Sequence, residues 1–373
     1  MPAAPPCRTI AFYAPLKAPD HPVASGDRLM ARQLMAALAA TGAEVGLASS
    51  LRAFLPRSED SAALDRLEAE AEAERARIAA LWERAGPPDL WFCYHPYYKA
   101  PDLIGPPLAA RFGLPWVSAE ASLSARRNIG LWAETQERMR SALLGAGMNF
   151  ALTARDAAGL SAGAPGLALM RLHPFLELEA LPPPAPLAGR RIVTVAMMRA
   201  GDKMESYRAL AQALAELPVG ADWALTVVGD GPMRAEVEAL LPPGRVRFIG
   251  ALPPEGVRAE LAAADVYLWP GCGEAYGLAY LEAQAAGLPV VGWATAGVPE
   301  VVAAGETGLL SPPGDVAALA HDLARLLDDS TLKRQMGAAA RARVLARHAR
   351  PRAVADLARG LACAMKGKEN ADG

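Results

Sequence analysis

Residues 266–292 read VYLWPGCGEAYGLAYLEAQAAGLPVVG. VYLW is a short apolar run with the character of a buried strand, and Pro270 stops it. A glycine-rich loop follows, then a helical pattern over 278–286, then a second apolar strand, PVVG (289–292). Strand, loop, helix and strand within one short stretch form the repeating unit of doubly wound α/β sheets. Such sheets take ligands where loops leave the carboxyl ends of their strands.

The same alternation extends in both directions. Upstream lie the strands RIVTVA (191–196), ALTVV (224–228) and VRFI (246–249), separated by helical segments at 207–217, 232–241 and 256–263. Further upstream, TIAFY (9–13), EVGLA (44–48), LWFCY (90–94), WVSA (116–119) and FALT (150–153) read as strands, with helices over 28–40 and 62–84. LPPPAP (181–186) can continue neither element, because proline fixes φ and lacks an amide donor. Helical patterns at 316–327, 332–347 and 353–365 close the chain. The organisation predicted is two Rossmann-like parallel-sheet domains, 1–180 and 181–350, and a terminal helix, 351–373.

Composition narrows the function classes. The chain has 373 residues, about two domains at ~150 residues each. It is 52% hydrophobic, and 38 Lys and Arg nearly balance 40 Asp and Glu for a net charge of -2. No general field draws it to nucleic acid, so an anion site has to be local. The four cysteines lie far apart, and the N-terminus MPAAPPCRTIAFYAPLKAPD lacks the apolar core of a secretory signal, so a reduced, cytoplasmic protein is expected. The longest uncharged stretch, 283–299, is broken by glycine and proline and is too short to span a bilayer.

Within the opening stretch, amides near Gly277 and Leu278 at the start of the helix offer donors and a positive dipole end to an anion such as a diphosphate. Glu274 and Glu282 stand eight positions apart, about 12 Å if the segment were wholly helical. Both carboxylates could accept hydrogen bonds from sugar or ribose hydroxyls; equally, Glu274 could be a cap acid and Glu282 a solvated helix residue. No D-x-D motif and no histidine ligand spacing appear, so no metal is expected.

The stretch from Glu274 to Gly287, with Pro289-Val290-Val291 and Gly297-Val298-Pro299-Glu300 after it, resembles the E-x7-E region of retaining glycosyltransferases of family 4, which have the GT-B fold. Arg199 and Lys203 after RIVTVA, the turn Val228-Gly229-Asp230-Gly231-Pro232, and VRFIGALP before VYLWPG extend the resemblance over nearly the whole second half. It implies an N-terminal acceptor domain, a C-terminal domain for a UDP- or GDP-sugar, chemistry in a cleft between them, and a terminal helix crossing back. It also implies that Glu274 contacts the transferred sugar, with Tyr276 beside it, and that Glu282 binds the ribose. Gly277, Leu278 and Gly229 would lie against the diphosphate, whose departure Arg199 and Lys203 would neutralise. Fixed cations at a leaving group that gains negative charge lower its barrier.

In the first half, Gly26, in SGDR (25–28), stands either for close approach to donor or acceptor or within an N-cap formed by Ser25 or Asp27. His95, in YHPYY, and Glu120, after WVSA, are acceptor-site candidates, His95 also as a base; Arg126 could meet an acidic group on the acceptor. Many members of the resembled family carry histidine where Glu120 stands here. The reaction expected is retaining hexosyl transfer to a hydroxyl of a glycan or lipid-linked glycan, by front-face attack, with no cofactor beyond the nucleotide-sugar donor. An epimerase, an inverting transferase and an inactive nucleotide-binding regulatory subunit are the alternatives. RARVLARHARPR (341–352) offers either a peripheral contact for anionic headgroups at the inner face of the membrane or a solvated basic face.

Overall fold

A computed structural model describes residues 7–23, 25–178 and 181–371. The chain divides into two compact units, Met1–His173 with Pro351–Gly373, and Pro174–Arg350. In the first, β1 (Thr9–Tyr13), α1 (Gly26–Ala39), β2 (Glu44–Ser49), α2 (Ser61–Ala85), β3 (Leu90–Tyr94), α3 (Gly105–Phe112), β4 (Trp116–Ala119), α4 (Gly130–Leu144), β5 (Met148–Ala151), α5 (Ala154–Gly163) and β6 (Leu169–Arg171) alternate without exception. The six strands form one parallel sheet in the order β2-β1-β3-β4-β5-β6.

The second unit repeats the plan with β7 (Arg191–Val195), α6 (Asp202–Ala215), β8 (Ala224–Val228), α7 (Arg234–Leu240), β9 (Val246–Phe248), α8 (Pro254–Ala262), β10 (Val266–Leu268), α9 (Leu278–Ala285), β11 (Val290–Trp293), α10 (Val298–Val301), β12 (Gly308–Ser311), α11 (Val316–Asp328) and α12 (Ser330–Arg343). Its sheet, also parallel, runs β12-β11-β10-β7-β8-β9. The terminal helix α13 (Arg350–Ala371) belongs, from Pro351 onward, to the first unit, where Gly360 seats it so closely on Phe150 that a Cβ would lie 2.3 Å from the ring.

Parallel strands covered by helices on both faces bury every side chain, so they read as continuous apolar runs. β3 is buried at all five positions, and Phe92 lies between Phe12 and Phe150 with ring centroids 5.8 and 6.3 Å away. Each such ring taken out of water contributes about 2–3 kcal/mol.

Several elements differ from the sequence reading. β5 begins two residues before FALT, because Thr153 leaves the strand and caps α5, its hydroxyl accepting from the Asp156 amide at 3.0 Å. Glu274 to Gly277 is not helical, since α9 starts only at Leu278, so the axial estimate for the two glutamates does not apply. The LPPPAP run is strapped to the second unit, where the Ala185 amide donates to Ala286 O at 2.8 Å. The basic run 341–352 is not one free face: Arg341 donates to Pro182 O (2.7 Å) and Ala285 O (2.6 Å), Arg350 pairs with Glu177 and Arg352 with Asp356 (3.0 Å). Among the described residues no helix is long and apolar enough to cross a membrane.

Candidate active site

Each sheet reverses its direction of growth once, between β1 and β3 in the first unit and between β7 and β10 in the second. At such a switch point the loops leaving neighbouring strands part in opposite directions and leave a crevice. The candidate residues gather at these two places.

In the second unit, the loop from β7 to α6 carries Arg199, half-buried, and α6 carries Lys203 in its first turn. The loop from β10 to α9 carries Glu274. Lys203 Nζ and Glu274 Oε1 form an ion pair between side chains only 25% and 16% exposed, and Trp269 Nε1 donates to the same oxygen at 3.0 Å. Glu274 is therefore no helix cap. The helix start is held by Gly277 in a left-handed conformation (φ 73°) with no side chain capping it, which leaves first-turn amides for another acceptor. Leu278 and Tyr276 are both buried.

Glycine is required here by contact. A Cβ on Gly277 would lie 2.5 Å from the Tyr280 ring, and one on Gly229 2.0 Å from Ala196 O, so the loop from β8 is pressed against the loop from β7. Gly297 is tighter still, its Cβ position 1.5 Å from Ala275 O, while its amide donates to Glu274 O at 3.2 Å. The Gly297-Val298-Pro299-Glu300 segment is thus the backing of the Glu274 loop. Glu282, the fifth residue of α9, is half-buried, and burial pushes its carboxyl up to about 7 against an opposing pull from Arg258.

In the first unit, Ser25 caps α1, its hydroxyl accepting from the Arg28 amide at 3.2 Å. Asp27 is freed from that task and reaches His95, Oδ1 to Nδ1 3.1 Å. Gly26 is exposed and a Cβ there would meet nothing within 4 Å. Glu120, 7% exposed, accepts from Tyr94 Oη at 2.9 Å. Burial alone would drive the His95 proton off, yet the carboxylates of Glu120, Asp27 and Asp156 outweigh it and hold the imidazole at about 9. Burial pushes Glu120 up, partly offset by His95. His95 and Glu120 end adjacent strands, and both are non-glycine residues with left-handed backbones, φ 56° and 58°. Such conformations cost about 1 kcal/mol or more each and gather at functional sites.

The structure brings Arg199, Lys203, Glu274, Tyr276, Gly277, Leu278, Glu282 and Gly229 to one sheet edge and Gly26, His95 and Glu120 to the other. Arg126 stays apart on an exposed 3-10 turn, Ala125–Arg127. Sequence reasoning missed Asp27 as the partner of His95, Tyr94 as the donor to Glu120, and Trp269, which VYLW presents only as strand. A cavity of about 450 Å³ in the first unit, beside Trp116, Met139 and Arg138, lies on the helical flank and holds none of these residues. Among the described residues no three His, Cys, Asp or Glu side chains come together as a metal site.

Residues 189–329 match the family described as glycosyl transferases group 1. The chain is 39% identical over 130 residues to the 2-deoxystreptamine glucosyltransferase of Streptomyces kanamyceticus, covering 34% of each protein. It spans well under half the length of the curated relatives it matches. Sucrose-phosphate synthase from Thermosynechococcus elongatus superposes with a TM-score of 0.73 at 22% identity, covering 94% of this chain and 98% of that one. Anabaena HepE in complex with UDP and glucose gives 0.69 at 17% identity, covering 95% and 99%. Two parallel six-stranded α/β sheets with these neighbours make the fold GT-B.

Proposed function

We propose that the chain is a retaining glycosyltransferase of family 4 that moves a hexosyl unit from a UDP- or GDP-sugar to a hydroxyl of a glycan or lipid-linked glycan, without a metal. The observation that carries this reading is the Lys203–Glu274 pair beside the uncapped start of α9 at the second sheet's switch point. A diphosphate accepts hydrogen bonds and brings negative charge; free first-turn amides, Lys203 and Arg199 supply donors and positive charge. A sugar presents hydroxyl donors; Glu274 supplies an acceptor. As the sugar–phosphate bond breaks, charge grows on the departing oxygen, and cations already in place lower that barrier. The departing oxygen then takes the acceptor's proton on the same face, which retains configuration.

His95 supports retention over inversion. An imidazole held at about 9 keeps its proton at neutral pH, so it donates to a hydroxyl and does not serve as the base that an inverting route needs. The solved neighbour bound to UDP and glucose makes UDP-glucose the first donor to try.

The test is thermal stabilisation by UDP-glucose, GDP-mannose and ADP-glucose, since a ligand bound only by the native state raises the melting temperature. NMR of the product made from the stabilising donor then reads the anomeric configuration. No stabilisation by any of the three overturns the donor reading, and a β-linked product from an α-linked donor overturns retention. Chelation by EDTA should leave the rate unchanged.

A further inference from the structure

We propose that Trp269 is a positioning residue for Glu274: its indole N–H holds one carboxylate oxygen in place and leaves the other to accept from a hydroxyl of the transferred sugar. The proposal rests on the donor reading above and goes beyond it, because it concerns what keeps Glu274 in position once Lys203 turns to the diphosphate.

Trp269 is 1% exposed and has little freedom. Its amide donates to Val291 O at 3.0 Å, and its carbonyl accepts from Tyr280 Oη at 2.9 Å. Tyr207 stands edge-on to the indole, centroids 4.9 Å apart at 75°, and is itself anchored through its hydroxyl to Ala196 O at 2.9 Å. Strand, α6 and α9 together thus fix the indole plane and the direction of its N–H. That N–H meets Glu274 Oε1 at 3.0 Å, the oxygen that Lys203 also takes, while Lys203 Nζ lies 5.5 Å from the indole centroid.

The two partners of Oε1 differ in kind. Lysine is a point charge on a flexible stem with three donors, able to share itself between Glu274 and phosphate oxygens. The indole is a single donor on a locked plane, with no attraction for phosphate strong enough to move it. When negative charge arrives and draws the ammonium away, the indole is the partner that stays. A carboxylate with one oxygen pinned presents the second in a fixed place, and small errors in placement cost rate steeply.

The experiment compares wild type, Trp269→Phe, Glu274→Gln and the double variant. Phenylalanine keeps a ring against Tyr207, removes the donor and gives up part of the indole's buried volume, which the melting temperature reads. The probes are UDP-glucose, GDP-mannose and ADP-glucose, with UDP, GDP and ADP as sugar-free arms. Trp269→Phe should bind the nucleoside diphosphate as wild type does and melt within a few degrees of it, yet lose about tenfold or more in kcat/KM for the nucleotide sugar. In the Glu274→Gln background the same change should cost little more, because it acts through that carboxylate. Activity within twofold of wild type, equal weakening of sugar and sugar-free arms, or full additivity with Glu274→Gln overturns the proposal. If Trp269→Phe fails to fold, the wild-type indole ¹⁵N resonance that moves in Glu274→Gln should shift when the nucleoside diphosphate draws Lys203 away and shift further with the nucleotide sugar; a resonance that the sugar moves no further than the nucleoside diphosphate does overturns it as well. Wild type that responds to none of the six compounds overturns the donor reading first and this inference with it.

Discussion

Where the first sheet reverses, the chain sets Asp27, His95 and Glu120 around one another, and the two left-handed residues are a histidine and a glutamate. Where the second reverses, the left-handed residues in the loops leaving β7 and β10 are Gly201, Gly271, Gly273 and Gly277, and the charges include Lys203 and Glu274. One edge accepts backbone strain to place side chains; the other gives up side chains to expose backbone. The first gathers the carboxyl groups of Asp27, Glu120 and Asp156 near one imidazolium, with Lys17 also acting on Asp27. The second offers an uncapped helix start and cations. Under the function proposed above, the second edge is the one for the anion and the first the one for hydroxyls.

The largest expected effect breaks the second edge chemically. Lys203→Met should lower kcat by roughly 100–1000-fold, as loss of a preorganised charge-stabilising group does, and Glu274→Gln by a similar factor. Neither should shift the melting temperature by more than a few degrees, because the pair is partly solvated and each variant keeps the stem. Steady-state kinetics alongside thermal melts checks both; equal loss of activity and fold would remove these residues from the chemistry.

A second variant attacks the same edge through its backbone. Gly229→Ala would drive a Cβ into Ala196 O, 2.0 Å away, at φ 140°. Destabilisation of roughly 2–4 kcal/mol in urea unfolding is expected, since neither loop can yield without moving its strand. The parallel test at the first edge swaps side chain for glycine: His95→Gly removes a strained φ but also the Asp27 contact, so a smaller loss is expected there.

Much of this was legible in the sequence, for physical reasons. Parallel strands buried on both faces read as apolar runs, and proline and glycine mark where they end. β5 was misplaced because it carries a buried polar residue, Asn149, whose amide is satisfied by Leu143 O (3.0 Å) and Ser118 (2.7 Å). Glu274 and Glu282 share one glycine-rich stretch, so the family resemblance picks out both, and Lys203, 71 positions before Glu274, enters only through that resemblance. The first edge joins residues 68 positions apart, Asp27 and His95, and no local period encodes such a pair. Trp269 was hidden because a buried tryptophan looks like core until its N–H is traced to a carboxylate.

Titration sharpens the comparison with smaller effects. Glu282 rises to about 7 from an ordinary carboxyl of 4.5, and a ribose hydroxyl donates more strongly to the ionised form. Donor affinity should therefore climb as pH rises through 7 and flatten above it, by up to about tenfold between pH 6 and 8, and the climb should vanish in Glu282→Gln. Isothermal titration across that range reads it. For His95 the folded state holds its proton more tightly than the unfolded state does, about 9 against 6.5. Its contribution to stability is thus complete below pH 6.5 and lost as pH rises through 9, so the stability gap between wild type and His95→Gln should narrow over that window in urea unfolding.

The smallest structural effect belongs to Gly26 and bears most directly on what the first edge is for. Its Cβ position is open within 4 Å, its φ is not left-handed, and the cap of α1 comes from Ser25. Alanine there lowers the entropy of the unfolded chain and suits a helix start, so Gly26→Ala should unfold within about 1 kcal/mol of wild type. Nothing inside its own unit asks for glycine. If the residue is small to admit substrate, the variant should keep its stability and lose turnover, and Gly26→Val should lose more. If both variants transfer at the wild-type rate, no ligand passes close to this helix start, and the first edge is read by Asp27, His95 and Glu120 alone.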